Sequence, residues 1–162
     1  TWAHSFAITE RGEPVAAVIF LPMLDNLYCA QKGEGATLNG QAISVSNAPS
    51  LFGSNILAAR PTQDMRFWKN GIVPQFNSFH RPSLAYRLVL VAEGQYDGMI
   101  TFRDSWEWDI CAGALITTEA GAVVSDTFGK PLVFNQRHPI TKGVVSATPH
   151  VHSDFLDLSD PH

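Results

Sequence analysis

Apolar runs separated by short polar turns divide this chain into strands and helices. Residues 14–20 form a near-continuous apolar run of strand length, and the alternation over residues 2–9 indicates a strand before it. Residues 26–31 are predicted to form a third, short strand. The Asn-Gly pair at residues 39–40 favours a hairpin turn. The same patterns predict further strands at residues 42–46, 54–59, 98–102, 122–125 and 143–147, and extended segments at 76–81 and 133–135.

Three segments are predicted to be helical. Residues 83–94 start after Pro82 and end at Gly94, which are typical helix boundary residues. Residues 105–121 are apolar or small on almost every side after Ile110, as expected of a buried helix. A short helix at 150–158 closes the chain. These elements predict one α/β domain over residues 1–162, of mixed (α+β) type, in which a mixed sheet is layered with helices.

Asp109 is the polar residue that stands out at the start of the second predicted helix. A helix N-terminus favours a carboxylate, so Asp109 or Ser105 could be a helix-capping residue and no more. The alternative is that Asp109 faces a cleft and binds a divalent cation such as Mg²⁺, which prefers oxygen ligands. The small residues Ala112 and Gly113, one turn later, would leave room for a ligand above the helix start.

Composition excludes several classes of protein. The 162 residues suffice for one domain with a sizeable core, and 45% hydrophobic with 16% charged residues is ordinary for a globular protein. A net charge of −4 argues against nucleic acid polymers as partners. No apolar run approaches the roughly 18 residues that span a membrane, and the first residues do not resemble a signal peptide.

The two cysteines indicate a reducing environment. Cys29 and Cys111 fall in a predicted strand and in the buried helix, and neither has metal-ligand spacing to another Cys or His. We therefore expect two free thiols and a cytoplasmic location.

The residues around Asp109 resemble a known family. Residues 108–113 (Trp-Asp-Ile-Cys-Ala-Gly), the Glu-Ala-Gly at 119–121, Asp126 and Gly129 together resemble the C-terminal signature of the inositol monophosphatase family. The resemblance implies a Mg²⁺-dependent, Li⁺-sensitive phosphomonoesterase in which Asp109 is a metal ligand. It covers nearly all of this chain, but only about the C-terminal three-fifths of the family's length.

The metal site implied by the resemblance is incomplete within these residues. Family members carry an upstream helix with a metal-binding Glu and an Asp-Pro-Xaa-Asp-Gly-Thr loop, and neither motif occurs in this sequence. In the family, that Glu and a metal activate the attacking water, so no catalytic base is assigned within this chain.

The substrate implied by the resemblance is a small phosphorylated metabolite. Inositol-specific members have a Glu seven residues before the aspartate, where this chain has Phe102, which cannot accept a hydrogen bond from a ring hydroxyl. The Glu107-Trp108-Asp109 segment, with Arg103 before it, resembles bacterial adenosine 3′(2′),5′-bisphosphate nucleotidases. An aromatic base would stack on Tyr86 or Phe102, and a second phosphate would pair with Arg87 or Arg103. The predicted substrate-binding residues are Ser83, Ala85, Tyr86, Arg87, Phe102, Arg103 and Glu107.

Three functions are therefore compatible with this sequence. The first is hydrolysis of a bisphosphate such as adenosine 3′(2′),5′-bisphosphate, and the second is an inositol or sugar monophosphatase. The third belongs to another class: a truncated, non-catalytic fragment that keeps the fold and dimerises. Strands that would pair with upstream segments should leave an open sheet edge, and open edges recruit partners, which makes a homodimer possible.

Overall fold

The computed structural model describes residues 2–161. Five antiparallel strands form a first sheet, with its strands side by side in chain order. A second sheet has the strand order β10-β12-β8-β6-β7, and a two-stranded ribbon pairs β11 with β9. The strands are β1 (His4–Glu10), β2 (Glu13–Leu21), β3 (Asn26–Gln31), β4 (Ala36–Leu38), β5 (Gln41–Ile43), β6 (Asn55–Ala58), β7 (Asn77–Phe79), β8 (Gly98–Thr101), β9 (Ser105–Trp106), β10 (Val123–Ser125), β11 (Ile140–Thr141) and β12 (Val144–Ala147).

The helices form two further layers. The α-helices are α1 (Leu84–Ala92), α2 (Glu107–Glu119) and α3 (Pro149–Leu158), and three short 3₁₀ helices lie at Arg60–Gln63, Met65–Phe67 and Lys69–Gly71. Helices α1 and α2 pack between the two sheets, and α3 packs on the far face of the second sheet. The predicted mixed α/β fold with layered sheets and helices is confirmed.

Alternation along the second sheet explains these layers. Leu57, Met99 and Val144 face α1 and α2, whereas the neighbouring Ile56, Ile100 and Val145 face α3. Because side chains alternate between the faces of a strand, a strand that is apolar at every position is covered on both sides. The apolar segments that form the central strands of the second sheet are therefore buried between two helical layers.

Helix α2 is buried on nearly all sides, as its sequence predicts. One side packs against the first sheet through Ala112, Leu115 and Ile116, and the other contacts the second sheet through Ile110 and Ala114. Gly113 allows α1 to approach closely, since a Cβ there would lie 2.5 Å from Leu88 Cδ1. This central position fixes the start of α2, and with it Asp109, relative to both sheets.

The predicted element boundaries need several corrections. The strand predicted at 42–46 is β5 at Gln41–Ile43, and β4 precedes it where the sequence suggested only a loop and a turn. The segment 133–135 forms no strand, because the Asn135 N–H bonds to the Glu107 carboxylate instead of to a neighbouring strand. The ribbon of β9 and β11 was not predicted, since two-residue strands have no periodicity to detect.

The first sheet has an open edge at β1 in the described part of the chain. Phe6 and Ile8 on this strand are exposed, and the opposite face of the sheet packs on α1 and α2. An exposed apolar edge strand is a site where another strand or chain can add. The homodimer stays a prediction.

Stability should depend on pH through His152, which is buried in α3. The Ser125 Oγ lies 2.8 Å from His152 Nε2 and donates its own hydrogen to the Asp126 carbonyl, so the neutral imidazole donates from Nε2. Burial lowers the pKa of His152 below its ordinary value of 6.5. In the pH range between the lowered pKa and 6.5 the unfolded chain binds more protons, so the free energy of unfolding should decrease as pH falls below about 6.5.

The measurement is chemical denaturation between pH 7.5 and 5. One such group changes the free energy of unfolding by at most about 1.4 kcal/mol per pH unit. The His152→Gln variant should be less stable than the native chain at pH 7.5 and should show a shallower decline toward pH 5. An unchanged slope in the variant would show that other groups control the acid sensitivity.

Candidate active site

Asp109 lies in the first turn of α2, and its side chain is exposed. The residue that caps this helix is Trp106, which makes no side-chain capping bond, so neither Asp109 nor Ser105 is the N-cap. Within residues 2–161, no hydrogen bond or ion pair engages the Asp109 carboxylate. An exposed carboxylate with free oxygens at a helix start fits one ligand position of a hard divalent cation.

The described residues do not form a whole metal cage. No group of three or more His, Cys, Asp or Glu residues in residues 2–161 is placed to hold a metal ion. Asp109 can therefore supply one ligand, and the rest of a Mg²⁺ site would have to come from other groups.

Glu107 is buried two residues before Asp109, with 6% of its surface exposed. One carboxylate oxygen accepts a hydrogen bond of 2.6 Å from Asn135 N, and the other accepts one of 3.2 Å from Gln136 N. Both oxygens are thus occupied by backbone groups. The substrate contact predicted for Glu107 stays a prediction, and this geometry favours a positioning role, in which Glu107 ties the start of α2 to Asn135 and Gln136.

Three strand ends converge on a cationic cavity of about 500 Å³. Arg60, His80 and Arg103 line it, and each follows the carboxyl end of β6, β7 or β8. Since β6 runs parallel to both β7 and β8, these three ends meet at one edge of the sheet. The carboxyl edge of parallel strands is the usual ligand-binding edge of such sheets. Among residues 2–161, no acidic side chain lines this cavity.

Arg87 lies next to this cavity and is buried, with 9% of its surface exposed. Its Nε donates to the Arg81 carbonyl, and its guanidinium lies 3.3 Å from His80 Nδ1. None of the ion pairs in the described part of the chain involves Arg87. Burial, and then the positive charge of Arg103, lower the pKa of Arg87. A buried cation without a carboxylate partner is costly, and an anion bound nearby would compensate it.

The other predicted substrate residues have mixed positions. Ser83 caps α1 and accepts a hydrogen bond from Tyr86 N, and Ala85 is buried against the first sheet. Tyr86 is half-buried between the two core clusters that flank α1. Phe102 stacks on Phe67 at 4.3 Å and packs against Trp68 and Phe155. Their substrate roles stay predictions, but Phe102 already has aromatic partners on the protein.

Sequence reasoning missed Arg60 and His80. Arg60 directly follows the predicted strand at 54–59, and His80 lies near the end of the extended segment predicted at 76–81. A basic residue at or near the end of each of several predicted strands was the available signal. Periodicity does not show which strands are parallel neighbours, so nothing in the sequence brought them together with Arg103.

Cys111 lies one turn after Glu107 and is buried. Burial, and secondarily the negative charge of Glu107, raise the pKa of its thiol to about 11. A thiol that stays protonated near neutral pH is a poor nucleophile, so Cys111 is a packing residue, as its sequence context predicts.

None of the helices described here is long and apolar enough to cross a membrane.

Comparison with known proteins assigns the chain to one family. The model of the inositol monophosphatase family matches residues 1–158, and the chain belongs to this family. The family resemblance of the Asp109 segment is thereby confirmed.

Two curated relatives illustrate the similarity. The chain is 35% identical over 138 residues to the "Fructose-1,6-bisphosphatase/inositol-1-monophosphatase" of Aquifex aeolicus, which covers 79% of this chain and 52% of that protein. It is 32% identical over 171 aligned positions to the "Nus factor SuhB" of Escherichia coli, covering 98% of this chain and 62% of that protein. The chain thus spans between half and two thirds of the length of these relatives.

Solved structures give the same fold. The inositol monophosphate-bound SaIMPase-II superposes with a TM-score of 0.81 at 24% identity, covering 96% of this chain and 60% of that chain. The extragenic suppressor protein suhB from Bartonella henselae gives a TM-score of 0.78 at 28% identity, covering 96% of this chain and 62% of that chain.

Proposed function

We propose that this chain contributes to a Mg²⁺-dependent phosphomonoesterase whose substrate is a small bisphosphate such as adenosine 3′(2′),5′-bisphosphate. Family membership supports a phosphatase, and the Trp-Asp segment supports Asp109 as a metal ligand. When bound, Mg²⁺ would neutralise phosphate charge and activate water. The observation that carries the choice of a bisphosphate is the cationic cavity beside the buried Arg87.

The charge balance of the cavity favours an anionic ligand group. The cavity is lined by Arg60, His80 and Arg103. The guanidinium of the buried Arg87 contacts the His80 ring. Guanidinium groups bind phosphate oxygens through paired, charge-assisted hydrogen bonds. A substrate with one phosphate near Asp109 could place a second phosphate in this cavity, whereas a monophosphate would leave it unused.

The test is phosphate release from adenosine 3′,5′-bisphosphate and from inositol monophosphate, with and without Mg²⁺. Arg87→Met and Arg103→Met should each raise KM for the bisphosphate by about 10- to 100-fold, because a hydrogen bond to a charged group contributes roughly 1.5–3 kcal/mol. The KM for inositol monophosphate should change much less. Arg66→Met is the matched control, since Arg66 is exposed and paired with Asp64.

Thermal unfolding of each variant separates loss of binding from loss of fold. Arg103 is exposed, so its replacement should leave stability nearly unchanged even if the buried Arg87 does not tolerate methionine. An unchanged KM for the bisphosphate in both variants would contradict the proposed cavity role.

A sugar phosphate is the second candidate. The Aquifex aeolicus relative is named a fructose-1,6-bisphosphatase/inositol-1-monophosphatase, and a sugar bisphosphate would satisfy the same cationic cavity. Comparing turnover of fructose 1,6-bisphosphate with that of the adenosine compound distinguishes the two.

The rival from another class is a non-catalytic fragment. It is supported by Asp109 being a single carboxylate without a surrounding cage in residues 2–161. Under this rival the chain would keep its fold and release no phosphate from any of these esters, with or without added metal.

A further inference from the structure

Strand β1 is the longest strand at a sheet edge, and no strand within residues 2–161 pairs with its free side. It has seven residues, whereas the other edge strands of the two five-stranded sheets, β5, β7 and β10, have three each. Between its terminal residues it carries no charged side chain and no proline, the groups that usually protect an edge. A long edge strand of this kind can pair with a strand of another chain.

The face of β1 that points away from the helices is apolar at its centre. Ala7 lies opposite Ala17 of β2, and Ala17 faces α1 and α2 in the core. Because side chains alternate along a strand, the even-numbered residues of β1 point to the outer face. Phe6 and Ile8 on that face are each 65% exposed, and the His4 ring stacks on Phe6. An exposed apolar strip therefore lies directly beside the free edge.

The sequence of β1 is complementary to itself around Ala7. In an antiparallel pair of two copies with Ala7 facing its counterpart, every other position meets a chemically matched residue. These pairs are His4 with Glu10, Ser5 with Thr9, and Phe6 with Ile8. A basic residue with an acidic one, two hydroxyl side chains, and an aromatic with a β-branched side chain are all stabilising cross-strand pairs. Each pair would occur twice, once on either side of a two-fold axis.

The charged ends of β1 favour this register over its neighbours. His4 and Glu10 are exposed, and the ion pairs found within residues 2–161 leave both of them out. Moving the axis to Ile8 would place Glu10 opposite Phe6, and moving it to Phe6 would place His4 opposite Ile8. Only the axis at Ala7 brings the histidine and the glutamate together, so charge complementarity selects a second copy in this register.

The helices leave room for a second copy. Helix α2 packs mainly beneath β2, and a cavity of about 350 Å³ lies between β1 and the start of α2. If two copies shared one sheet, their α2 helices would lie on the same face, about three strand spacings or roughly 14 Å apart. Packed helices need only about 8–10 Å, so the added strand requires no movement of α2.

We propose that two copies of this chain associate through their β1 strands, antiparallel about a two-fold axis at Ala7, and join their first sheets into one continuous antiparallel sheet. The homodimer that an open edge makes possible thereby receives a defined surface and register. A single pair of strands is a small interface, so the association should be in the micromolar range or weaker. The proposal does not depend on the phosphatase function.

The first measurement is sedimentation equilibrium of the intact chain from about 1 µM to about 1 mM, the range of weak association. Ile8→Lys places two ammonium groups near the axis and should weaken dimerisation by about 10-fold or more. Ile8 is exposed, so the variant should keep its fold, which thermal unfolding checks. Ile72→Lys, at another apolar residue that is 69% exposed, is the matched control and should dimerise like the native chain.

Two charge reversals test the register. His4→Glu places a like charge opposite Glu10, and Glu10→Lys places a cation opposite His4. Each should weaken dimerisation by about 3- to 30-fold, because each cross-strand pair occurs twice. The double variant His4→Glu/Glu10→Lys restores opposite charges and should dimerise within about 3-fold of the native chain. A dimer that used another surface would show no such rescue.

A cysteine at the axis tests the symmetry. Ala7→Cys places two thiols opposite each other, where mild oxidation should link them. Ser5→Cys faces Thr9 of the second copy, so it should give no more linked dimer than the native chain, whose own thiols are Cys29 and Cys111.

Three results would overturn the proposal. A native chain that stays monomeric up to about 1 mM would leave the β1 edge to a different strand. A dimer that persists in Ile8→Lys, without charge rescue and without linkage through Ala7→Cys, would place the interface elsewhere. A series of species larger than a dimer would also contradict it, since pairing about a two-fold axis closes at two copies.

Discussion

Replacing Asp109 with asparagine should reduce metal-dependent phosphate release by about 100-fold or more. The exposed carboxylate supplies a full negative charge at the start of α2, and a neutral amide binds a hard divalent cation far more weakly. Losing one group that organises charge around a transferring phosphate costs about this much in comparable sites. Because the exposed carboxylate makes no hydrogen bond or ion pair with other described residues, the variant should unfold at nearly the same temperature as the native chain.

Metal binding provides a second measurement that does not depend on turnover. Tb³⁺ is a luminescent substitute for hard cations that bind oxygen ligands. Trp106 and Trp108 lie three positions and one position before Asp109, and we expect energy transfer from these tryptophans to a Tb³⁺ ion bound at Asp109. Asp109→Asn should lose the sensitised signal, while Asp157→Asn, at an exposed acid on α3, should keep it. Native-like metal affinity and turnover in Asp109→Asn would show that this carboxylate is no metal ligand.

Replacing Glu107 with alanine should destabilise the chain by about 3 kcal/mol. The substitution leaves the backbone N–H groups of Asn135 and Gln136 without their carboxylate partner, and hydrogen bonds to a buried charged group are worth roughly 1.5–3 kcal/mol each. For a chain of this size the unfolding temperature should fall by roughly 6–12 °C. Glu107→Gln keeps one acceptor oxygen and should lose about half as much.

The control for Glu107 is another glutamate without a buried role. Glu34 is exposed in the turn between β3 and β4, so Glu34→Ala should change the free energy of unfolding by less than about 0.5 kcal/mol. The measurement is the free energy of unfolding of Glu107→Ala, Glu107→Gln and Glu34→Ala, from denaturant titration. If Glu107→Ala proved as stable as Glu34→Ala, Glu107 would be free to contact a ligand, as the sequence resemblance implied.

The elements of the fold were largely predictable from local pattern. The mainly apolar β8 and the nearly all-round apolar α2 are buried, as their sequences predict. The apolar run in β2 also predicted a buried strand, but only one face of β2 is buried. The short β9 and β11 were not predictable, since a two-residue strand exists only because its partner lies opposite. The bounds of β5 depended likewise on pairing with β4.

The candidate site divides in the same way. The Trp-Asp segment predicted the family from consecutive residues, and the family match confirms the family. The role of Asp109 as a metal ligand stays a prediction. Phe102, Arg103 and Glu107 lie within six consecutive positions, so the sequence suggested that their side chains share one site. The structure separates them. They line three different cavities, because the chain turns through β9 between the end of β8 and the start of α2.

By itself, the sequence determined the family, the layered α/β class and the position of Asp109 at a helix start. These follow from local periodicity and a contiguous motif, which need no knowledge of distant contacts. Only the tertiary structure brought Arg60, His80 and Arg103 to one sheet edge, because parallel pairing of β6 with β7 and β8 joins segments far apart in sequence. The structure alone also showed that backbone N–H groups occupy the Glu107 carboxylate, leaving the stacked Trp106 and Trp108 exposed on either side.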